Sequence, residues 1–419
     1  MDVILEGRIF YSGALTHGCI GIKDGKIVKV AKTLGTQNVL NLGNMIIAPG
    51  GVDIHVHMRE PGLTKKEDFL SGSNAAAAGG TTFFLDMPNT SPPTSNLERL
   101  AEKIDSASKS MVDYGLHALA GPSATAELGN RATGWKWYYG PSTGTVAWDD
   151  IASAKNLFRS SPGFTTLHAE DPRLFGPPGK DIAGHDRARP AECEISAVKK
   201  IASNGIFGLH VAHCSTSHCL LEAEKAGYSS EVTLHHLLLD TSSSRGAFAK
   251  VNPPLRGEVH RRALFESFLR GDTIVASDHA PHTMEEKEQE FSSAPSGMPG
   301  VEERLPVLMA MAKRGHIPVE RVLRACCERP AMLLGLSKGK IAEGYDADIA
   351  VFDPRELLTM KNEDAHSKCG WTPYMGLEII RPYYVFLRGE CIVERGDVVG
   401  KGGEGIYVGH APSLENGTP

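Results

Sequence analysis

The 419-residue sequence lacks several features that would point to particular classes of protein. It has no apolar run near the roughly 20 residues that a membrane-spanning helix needs. Its first residues show neither the basic start nor the long apolar stretch of a secretory signal. It also has no excess of positive charge, because the formal net charge is −6. We therefore expect a protein that binds neither membranes nor nucleic acids.

The eight cysteines lack any Cys-x-x-Cys spacing, the pattern of many zinc and redox sites. Scattered cysteines without such pairs are typical of reduced thiols, so we expect a cytoplasmic protein. Hydrophobic residues make up 41% of the chain and charged residues 22%, which is ordinary for a globular enzyme. The length is sufficient for one large barrel and a smaller accessory unit.

Short β-rich runs alternate with amphipathic helical stretches through the middle of the chain. This alternation favours an α/β fold with a closed parallel (β/α)8 barrel, the TIM barrel. The alternative is an open doubly wound sheet, but the first run is not followed by the Gly-x-Gly-x-x-Gly motif of its commonest nucleotide-binding form. The predicted strands are Val52–Val56, Thr81–Leu85, Gly115–Leu119, Trp135–Tyr139, Phe164–Leu167, Gly208–Ala212, Glu231–Leu234 and Thr273–Ala276. The predicted helices are Ser71–Ala78, Leu97–Met111, Ala147–Arg159, Glu192–Ser203, Ser217–Lys225, Val259–Leu269, Val301–Arg314 and Val319–Cys327.

Both ends of the chain have a different pattern, with short runs that are typical of antiparallel strands. Near the start, Asp24-Gly25 separates two alternating runs, which is a strong hairpin signal. We predict that residues 1–48 and 341–419 together form a small β-sandwich domain and that residues 49–340 form the barrel. The tail from Gly400, rich in glycine, proline and polar residues, is expected to be poorly ordered.

The stretch Gly51–Gly62 contains the first candidate site residues. Apolar and polar residues alternate along it, so His55 and His57 lie two apart on one strand and project to the same side. Two imidazoles at a strand end can hold one divalent cation. Alternatively, the pair consists of two hydrogen-bonded histidines of a buried strand. Arg59 follows where the chain leaves the strand, and a guanidinium beside a metal suggests bidentate binding of an anionic substrate.

Titratable residues stand at the carboxyl ends of most of the predicted strands, where a parallel barrel carries its reactive groups. Four imidazoles and one carboxylate suit zinc or another transition metal. Five ligands are more than one zinc with an open position needs, whereas two metals would need a further group to bridge them. These candidate ligands are His55, His57, His168, His213 and Asp278.

Lys136 lies at another of these strand ends. An ammonium group has three donors and no acceptor, so it cannot bind a metal as it stands. A buried lysine loses its proton readily, and the neutral amine can add carbon dioxide to form a carbamate, which is a bidentate bridge. Spacing alone favours the simpler alternatives, a surface lysine or the partner of a buried acid.

Eight motifs follow one another in order along the part of the chain predicted to form the barrel. In this combination they are highly specific, and the chain resembles the cyclic amidohydrolases and, within them, the dihydroorotase family. The narrower resemblance rests on Arg59, Asn89 and His282, which in that family hold a substrate carboxylate. The motifs are His55-Val-His-Met-Arg-Glu-Pro-Gly62, Asp86-Met-Pro-Asn-Thr90, Lys136 followed by Gly140-Pro-Ser-Thr-Gly144, His168-Ala-Glu170, His213-Cys-Ser-Thr216, Glu231-Val-Thr-Leu-His-His-Leu237, Asn252-Pro-Pro-Leu-Arg256 and Ser277-Asp-His-Ala-Pro-His282.

This resemblance implies two Zn²⁺ ions per subunit, bridged by carboxylated Lys136. The implied reaction is the reversible ring opening of dihydroorotate to carbamoyl aspartate, a step of pyrimidine synthesis. A hydroxide between the metals would be the nucleophile, and Asp278 would act as general base and acid. The implied ligands are His55, His57 and Asp278 for the first metal and His168 and His213 for the second. The implied ring contacts are Asn252, Ser296 and Gly297.

Three functions remain open at this point: dihydroorotase, a sister cyclic amidohydrolase such as an allantoinase or hydantoinase, and a non-catalytic scaffold that keeps the barrel. Arg59 and His282 distinguish the first from the second, since the sister enzymes need no such carboxylate clamp. A decayed scaffold would lack ligands, and all six are present. We expect a small-molecule substrate and, from the prevalence of such dimers, a homodimer. Relatives of this type are free-standing or associate with aspartate transcarbamoylase, which is therefore a second candidate partner.

Overall fold

The computed structural model describes residues 1–35, 37–243 and 245–410. Its strands are β1 (Val3–Tyr11), β2 (Ala14–Lys23), β3 (Lys26–Ala31), β4 (Val39–Pro49), β5 (Gly51–Val56), β6 (Thr81–Asp86), β7 (Asp113–Leu119), β8 (Gly134–Tyr138), β9 (Thr165–His168), β10 (Leu209–Val211), β11 (Ser229–Thr233), β12 (Ile274–Ala276), β13 (Ile349–Phe352), β14 (Leu358–Thr359), β15 (Glu378–Ile379), β16 (Pro382–Leu387), β17 (Glu390–Glu394) and β18 (Asp397–Val398). Its α-helices are α1 (Phe69–Ala78), α2 (Leu97–Ala107), α3 (Ala126–Arg131), α4 (Ile151–Ser160), α5 (Ile182–Ala188), α6 (Glu192–Ser203), α7 (Ser217–Lys225), α8 (Leu234–Leu238), α9 (Glu258–Arg270), α10 (Met284–Lys287), α11 (Arg304–Lys313), α12 (Val319–Leu323) and α13 (Arg329–Leu333).

Strands β5 to β12 form the predicted barrel. Each pairs in parallel with the next strand along the chain. The ring closes where Val56, at the end of β5, forms a parallel bridge with His279, which follows β12. Every residue of β5 and β6 is buried, because side chains fill the interior and helices cover the outside. All eight predicted strands are therefore confirmed, as is the fold class.

Several helices around the barrel begin at residues that cap them. The side chains of Asp68, Asn96, Asp150 and Thr216 each accept a hydrogen bond from a backbone amide in the first turn of the following helix. Such caps satisfy amides that have no partner within the helix.

Among the described residues, no helix combines the length and the apolar character needed to cross a bilayer.

Five short helices were not predicted: α3, α5, α8, α10 and α13. Each has only four to seven residues, which is too short to show a helical period of apolar residues. The predicted helix Val319–Cys327 ends earlier than expected, because a turn of π-helix at Arg324–Glu328 separates α12 from α13.

The two ends of the chain meet in one eight-stranded sheet, in the order β18-β17-β16-β13-β4-β1-β2-β3. Within the described strands of this sheet, β1 and β4 form the one parallel pair. Neighbouring residues of β4 point to opposite faces of the sheet. Ile46 and Ala48 pack against the barrel, whereas Ile47 packs into a separate core with residues from both ends of the chain. The sheet thus has its own core, in the sandwich-like arrangement that was predicted.

The tail is more ordered than predicted. The amide of Gly405 donates to the carbonyl of Ser110 at 2.9 Å, and the amide of Val408 donates to the carbonyl of Tyr114 at 2.8 Å. These bonds hold the segment along the outside of the barrel, so the prediction of a poorly ordered tail is wrong up to residue 410. The rest of that predicted segment, residues 411–419, lies outside the described residues.

Candidate active site

The predicted site residues converge at the carboxyl ends of the barrel strands. His282 lies directly behind the wall of the cavity, with its Nε2 atom 3.1 Å from Nη2 of Arg59. The other eleven line the cavity itself: His55, His57, Arg59, Asn89, Lys136, His168, His213, Asn252, Asp278, Ser296 and Gly297.

Three groups that can bind a metal meet at the end of β5. Nε2 of His55 and Nε2 of His57 each lie 3.3 Å from Oδ1 of Asp278. All three side chains are buried, and their ligand atoms are close enough together to share one ion. Burial lowers the pKa of His57 to about 3, so its ring is neutral and can offer a lone pair.

His168 and His213 form a second group in the same cavity. Nδ1 of His168 lies 3.0 Å from Nε2 of His213, and both rings are buried. Burial lowers the pKa of each ring, so both are neutral. Two neutral imidazole nitrogens this close can bind a common transition-metal ion.

Acceptor groups on the far side of three rings set their tautomers. A carboxylate or amide oxygen only accepts, so the ring nitrogen that faces it carries the proton and the other nitrogen offers its lone pair to the cavity. A metal ligand needs this arrangement, and the donor set therefore fits a divalent transition metal. The contacts are His55 Nδ1 to Glu231 Oε1 at 2.5 Å, His57 Nδ1 to Asn89 Oδ1 at 2.7 Å and His168 Nε2 to Glu170 Oε2 at 2.9 Å.

Lys136 extends from β8 into the cavity and is fully buried, so the alternative of a surface lysine is wrong. Its Nζ atom lies 3.5 Å from Nε2 of His55. Among the described residues no carboxylate lies within salt-bridge distance of it. Burial lowers its pKa to about 8, against the opposing effect of Glu231 and Asp278. About one lysine in ten is then neutral at pH 7 and able to add carbon dioxide.

Three site residues have a left-handed backbone: Arg59 (φ 62°), His213 (φ 39°) and Asp278 (φ 46°). This conformation costs an ordinary residue roughly 1–2 kcal/mol. Their clustering around one cavity indicates that the backbone there is held for function.

Burial alone would raise the pKa of Asp278, but the surrounding histidines, His55 and His57 among them, hold it well below its ordinary value.

Arg59 forms the cationic end of the cavity. Its Nε donates to the carbonyl of Pro281 at 3.0 Å, and its Nη2 lies beside Nε2 of His282. The guanidinium is buried, yet no carboxylate of the described residues pairs with it. Because buried charges need a partner, this end of the cavity suits an anionic group of a ligand.

The two asparagines have protein partners in addition to their predicted roles. Asn89 accepts from His57 and donates from Nδ2 to the carbonyl of Thr143 at 3.1 Å. One of its two amide protons is therefore left for a ligand. Oδ1 of Asn252 lies 2.9 Å from Nε2 of His185, which fixes the side chain of Asn252 at the cavity wall. His185 thus contacts the cavity through Asn252.

Ser296 and Gly297 form another part of the cavity wall. The hydroxyl of Thr143 donates to the carbonyl of Ser296 at 3.0 Å and joins this wall to the loop after β8. Gly297 has φ +137°, and a Cβ atom there would lie 2.5 Å from the carbonyl of Ala280 and 3.0 Å from Nε2 of His282. Only glycine fits at this position.

Glu170 and Glu231 belong to two of the sequence motifs, but no role was predicted for either residue. Both are fully buried and each faces a candidate ligand. A charged residue within a predicted barrel strand is a signal that could have found Glu231, since burying an unpaired carboxylate is very unfavourable.

Replacing Glu231 with glutamine is expected to weaken metal binding. The substitution keeps the size and one acceptor oxygen but removes the charge that His55 and His210 share. Changes of this kind behind a ligand typically cost about 10–100-fold in metal affinity. The measurement is zinc retention during titration with a chelator. Glu224→Gln, at an exposed position, is the matched control, and equal retention by all three proteins would contradict the role of Glu231.

Comparison with known proteins identifies the family to which this chain is similar. A model of the amidohydrolase family matches residues 46–157 and 196–386. The dihydroorotase of Methanosarcina mazei is 35% identical to the chain, covering 97% of both proteins. The dihydroorotase of Pyrococcus abyssi is 36% identical, covering 96% of this chain and 97% of the relative.

The chain belongs to the amidohydrolase family. Its matches to the dihydroorotases confirm the narrower resemblance drawn from the motifs. Together with the group formed by His55, His57 and Asp278, family membership implies a metal-dependent enzyme.

Solved structures confirm the amidohydrolase fold. The L-hydantoinase (dihydropyrimidinase) of Arthrobacter aurescens is 26% identical, with a TM-score of 0.90, and the match covers 97% of this chain and 99% of that one. The dihydropyrimidinase of Brevibacillus agri is 24% identical, with a TM-score of 0.89, over 99% of this chain and 100% of that one. The second likeness concerns the fold alone.

Proposed function

We propose that this amidohydrolase is a dihydroorotase, which interconverts dihydroorotate and carbamoyl aspartate in pyrimidine synthesis. The observation that carries the proposal is the buried Arg59 beside His282, next to a metal-binding group of histidines. A ring that bears a carboxylate needs such a cationic partner, whereas a simple hydantoin does not. The dihydroorotases that match nearly the whole chain support the same conclusion.

The proposal includes two Zn²⁺ ions bridged by carboxylated Lys136. Neutral imidazoles and carboxylates are ligands that suit zinc, and the buried, partly neutral amine of Lys136 supports its carboxylation. When bound, the metals supply Lewis acidity that makes the ring carbonyl more electrophilic and the attacking water more acidic. The proposed ligands are His55, His57 and Asp278 for one ion and His168 and His213 for the other.

Asp278 is the proposed proton carrier. Its carboxylate is held ionised by the histidines around it, so it can accept the proton of the water that attacks the ring carbonyl. It then delivers this proton to the ring nitrogen. The new carbon–oxygen bond forms as the carbon–nitrogen bond breaks, which yields carbamoyl aspartate. In the other direction the same carboxylate takes the proton of the attacking nitrogen and passes it to the departing hydroxide, which leaves as water as the ring closes.

The remaining predicted residues would orient the ring. Arg59 and His282 hold the substrate carboxylate with the free amide proton of Asn89, through charge-assisted hydrogen bonds. Asn252 and the backbone of Ser296 and Gly297 contact the pyrimidine ring, and all three line the cavity that would receive it.

Replacing Arg59 with methionine tests the function. The zinc-loaded protein is assayed with dihydroorotate, allantoin and a simple hydantoin side by side, and only dihydroorotate should react. Because hydrogen bonds to a charged group contribute roughly 1.5–3 kcal/mol each, loss of a bidentate contact should lower kcat/KM for dihydroorotate about a hundredfold or more. The metal content should stay unchanged.

Each other outcome points to a different function. Turnover of allantoin or hydantoin in place of dihydroorotate would favour the sister enzymes, whose fold this chain shares. Absence of turnover with any ring, with two metals bound, would favour the non-catalytic scaffold.

A cytoplasmic location, a homodimer and association with aspartate transcarbamoylase belong to the same proposal. All eight cysteines are free thiols, seven of them buried, which suits a reducing compartment. Size-exclusion chromatography with light scattering tests the dimer.

A further inference from the structure

We propose that Lys66 fixes the tautomer of His282 and thereby makes this ring a hydrogen-bond donor to the substrate carboxylate. Lys66 is thus a positioning residue that acts through His282. The inference rests on the proposed function, since it concerns how that carboxylate is held.

Lys66 contacts the side of His282 that faces away from Arg59. Its Nζ lies 3.1 Å from Nδ1 of His282 and 2.8 Å from Oε1 of Glu286. An ammonium group can only donate, so Nδ1 must accept and Nε2 must carry the ring proton.

The carbonyl on the opposite side of the ring agrees with this assignment. Nε2 of His282 lies 3.1 Å from the carbonyl oxygen of Ser296, which can only accept. The same Nε2 also lies 3.1 Å from Nη2 of Arg59, so in this tautomer two donors face each other and only the carbonyl of Ser296 accepts between them. Two donors therefore stand side by side at the cationic end of the cavity. A substrate carboxylate oxygen that reaches this end of the cavity can accept from Nη2 and share the Nε2 proton with Ser296, which relieves the contact between the two donors and forms a clamp.

With the other tautomer the clamp could not form. With its proton on Nδ1, the ring would have to donate to Oε2 of Glu286, which is 3.4 Å away and beyond the usual range of such bonds. Nε2 would then accept from Arg59 and present no proton to a carboxylate. Glu286 is itself fixed, because Oε2 accepts from the amide of Thr283 in the capping box of α10.

The position of the ring is fixed independently of Lys66. The indole of Trp371 donates to the carbonyl of His282 at 2.8 Å, and Gly297 packs against Nε2. Burial and the neighbouring cations Arg59 and Lys66 keep the pKa of His282 far below its ordinary value, so the ring is neutral. A neutral ring in a fixed position has one variable left, which is the nitrogen that carries the proton.

The test compares Lys66→Met with Lys65→Met. Lys65 is the exposed neighbour, so the control removes the same charge without touching His282. Lys66→Met should raise KM for dihydroorotate about tenfold or more and change kcat much less, because the contact serves binding of the carboxylate. Lys65→Met should match the wild type. Lys66→Arg, which keeps a donor, should recover most of the loss.

The tautomer is measured directly by ¹⁵N NMR of histidine-labelled protein, with His282→Gln to assign the signal. Wild type should show the proton on Nε2, and Lys66→Met should shift it towards Nδ1. This measurement needs no substrate and does not depend on the stability of Lys66→Met. A wild-type proton on Nδ1, an unchanged KM for Lys66→Met, or equal losses from both methionine variants would each overturn the inference. Failure of the wild type to convert dihydroorotate would overturn the proposed function and leave the tautomer result standing.

Discussion

Replacing Lys136 with methionine is expected to lower turnover at least about a thousandfold and to reduce the bound zinc below two ions per chain. Methionine fills a buried site of similar length without a polar group, so the barrel should still fold. It cannot form a carbamate, so the proposed anionic bridge between the metals of the two histidine groups would be lost. Metal catalysis contributes several kcal/mol to such hydrolyses, and each 1.36 kcal/mol is a factor of ten in rate.

Lys136→Arg is the control for charge. It keeps a positive group at the same position, but a guanidinium does not lose its proton and so cannot be carboxylated. It should be as inactive as the methionine variant. A further readout uses the wild type: metal-free protein reloaded with zinc should regain activity slowly in buffer freed of carbon dioxide and faster with added bicarbonate. Full activity of either variant, or a rate of reactivation that does not depend on bicarbonate, would contradict the proposed bridge.

The barrel could be predicted because its signals are local. Most barrel strands contain a short run of apolar residues between turn residues, and buried parallel strands have this pattern. His55 and His57 followed from alternation along a single strand, and Asp278 from its place after another. The short helices could not be found in this way. The order of the tail also could not, since it depends on contacts of Gly405 and Val408 with a strand far away in sequence.

The finer chemistry of the site depends on contacts between distant segments. Spacing could not distinguish Lys136 from a surface lysine, because its burial and its lowered pKa come from neighbouring strands of the barrel. The partners of Asn89 likewise lie on two other segments, at His57 and Thr143. Lys66 stands in a polar stretch of sequence, and only the approach of His282 gives it a role.

Replacing Asp278 with asparagine is expected to lower turnover about 10²–10⁴-fold, the usual contribution of a general acid or base. Asparagine keeps the shape and one oxygen near His55 and His57 but cannot carry a proton. It is also one of the few residues that readily adopt the left-handed backbone found here, so the loop should keep its conformation. Turnover is measured at full zinc loading, and bound zinc is quantified in the same samples.

Binding of dihydroorotate separates proton transfer from the carboxylate clamp in this variant. Arg59 and His282 are unchanged, so calorimetry should give an affinity close to that of the wild type. Because the same carboxyl is proposed to carry the proton in both directions, ring closure of carbamoyl aspartate should fall by the same factor as ring opening. Asp149→Asn, at an exposed position, should retain full activity. Wild-type turnover in Asp278→Asn, or a loss that disappears once its zinc content is matched, would assign the proton transfer to another group.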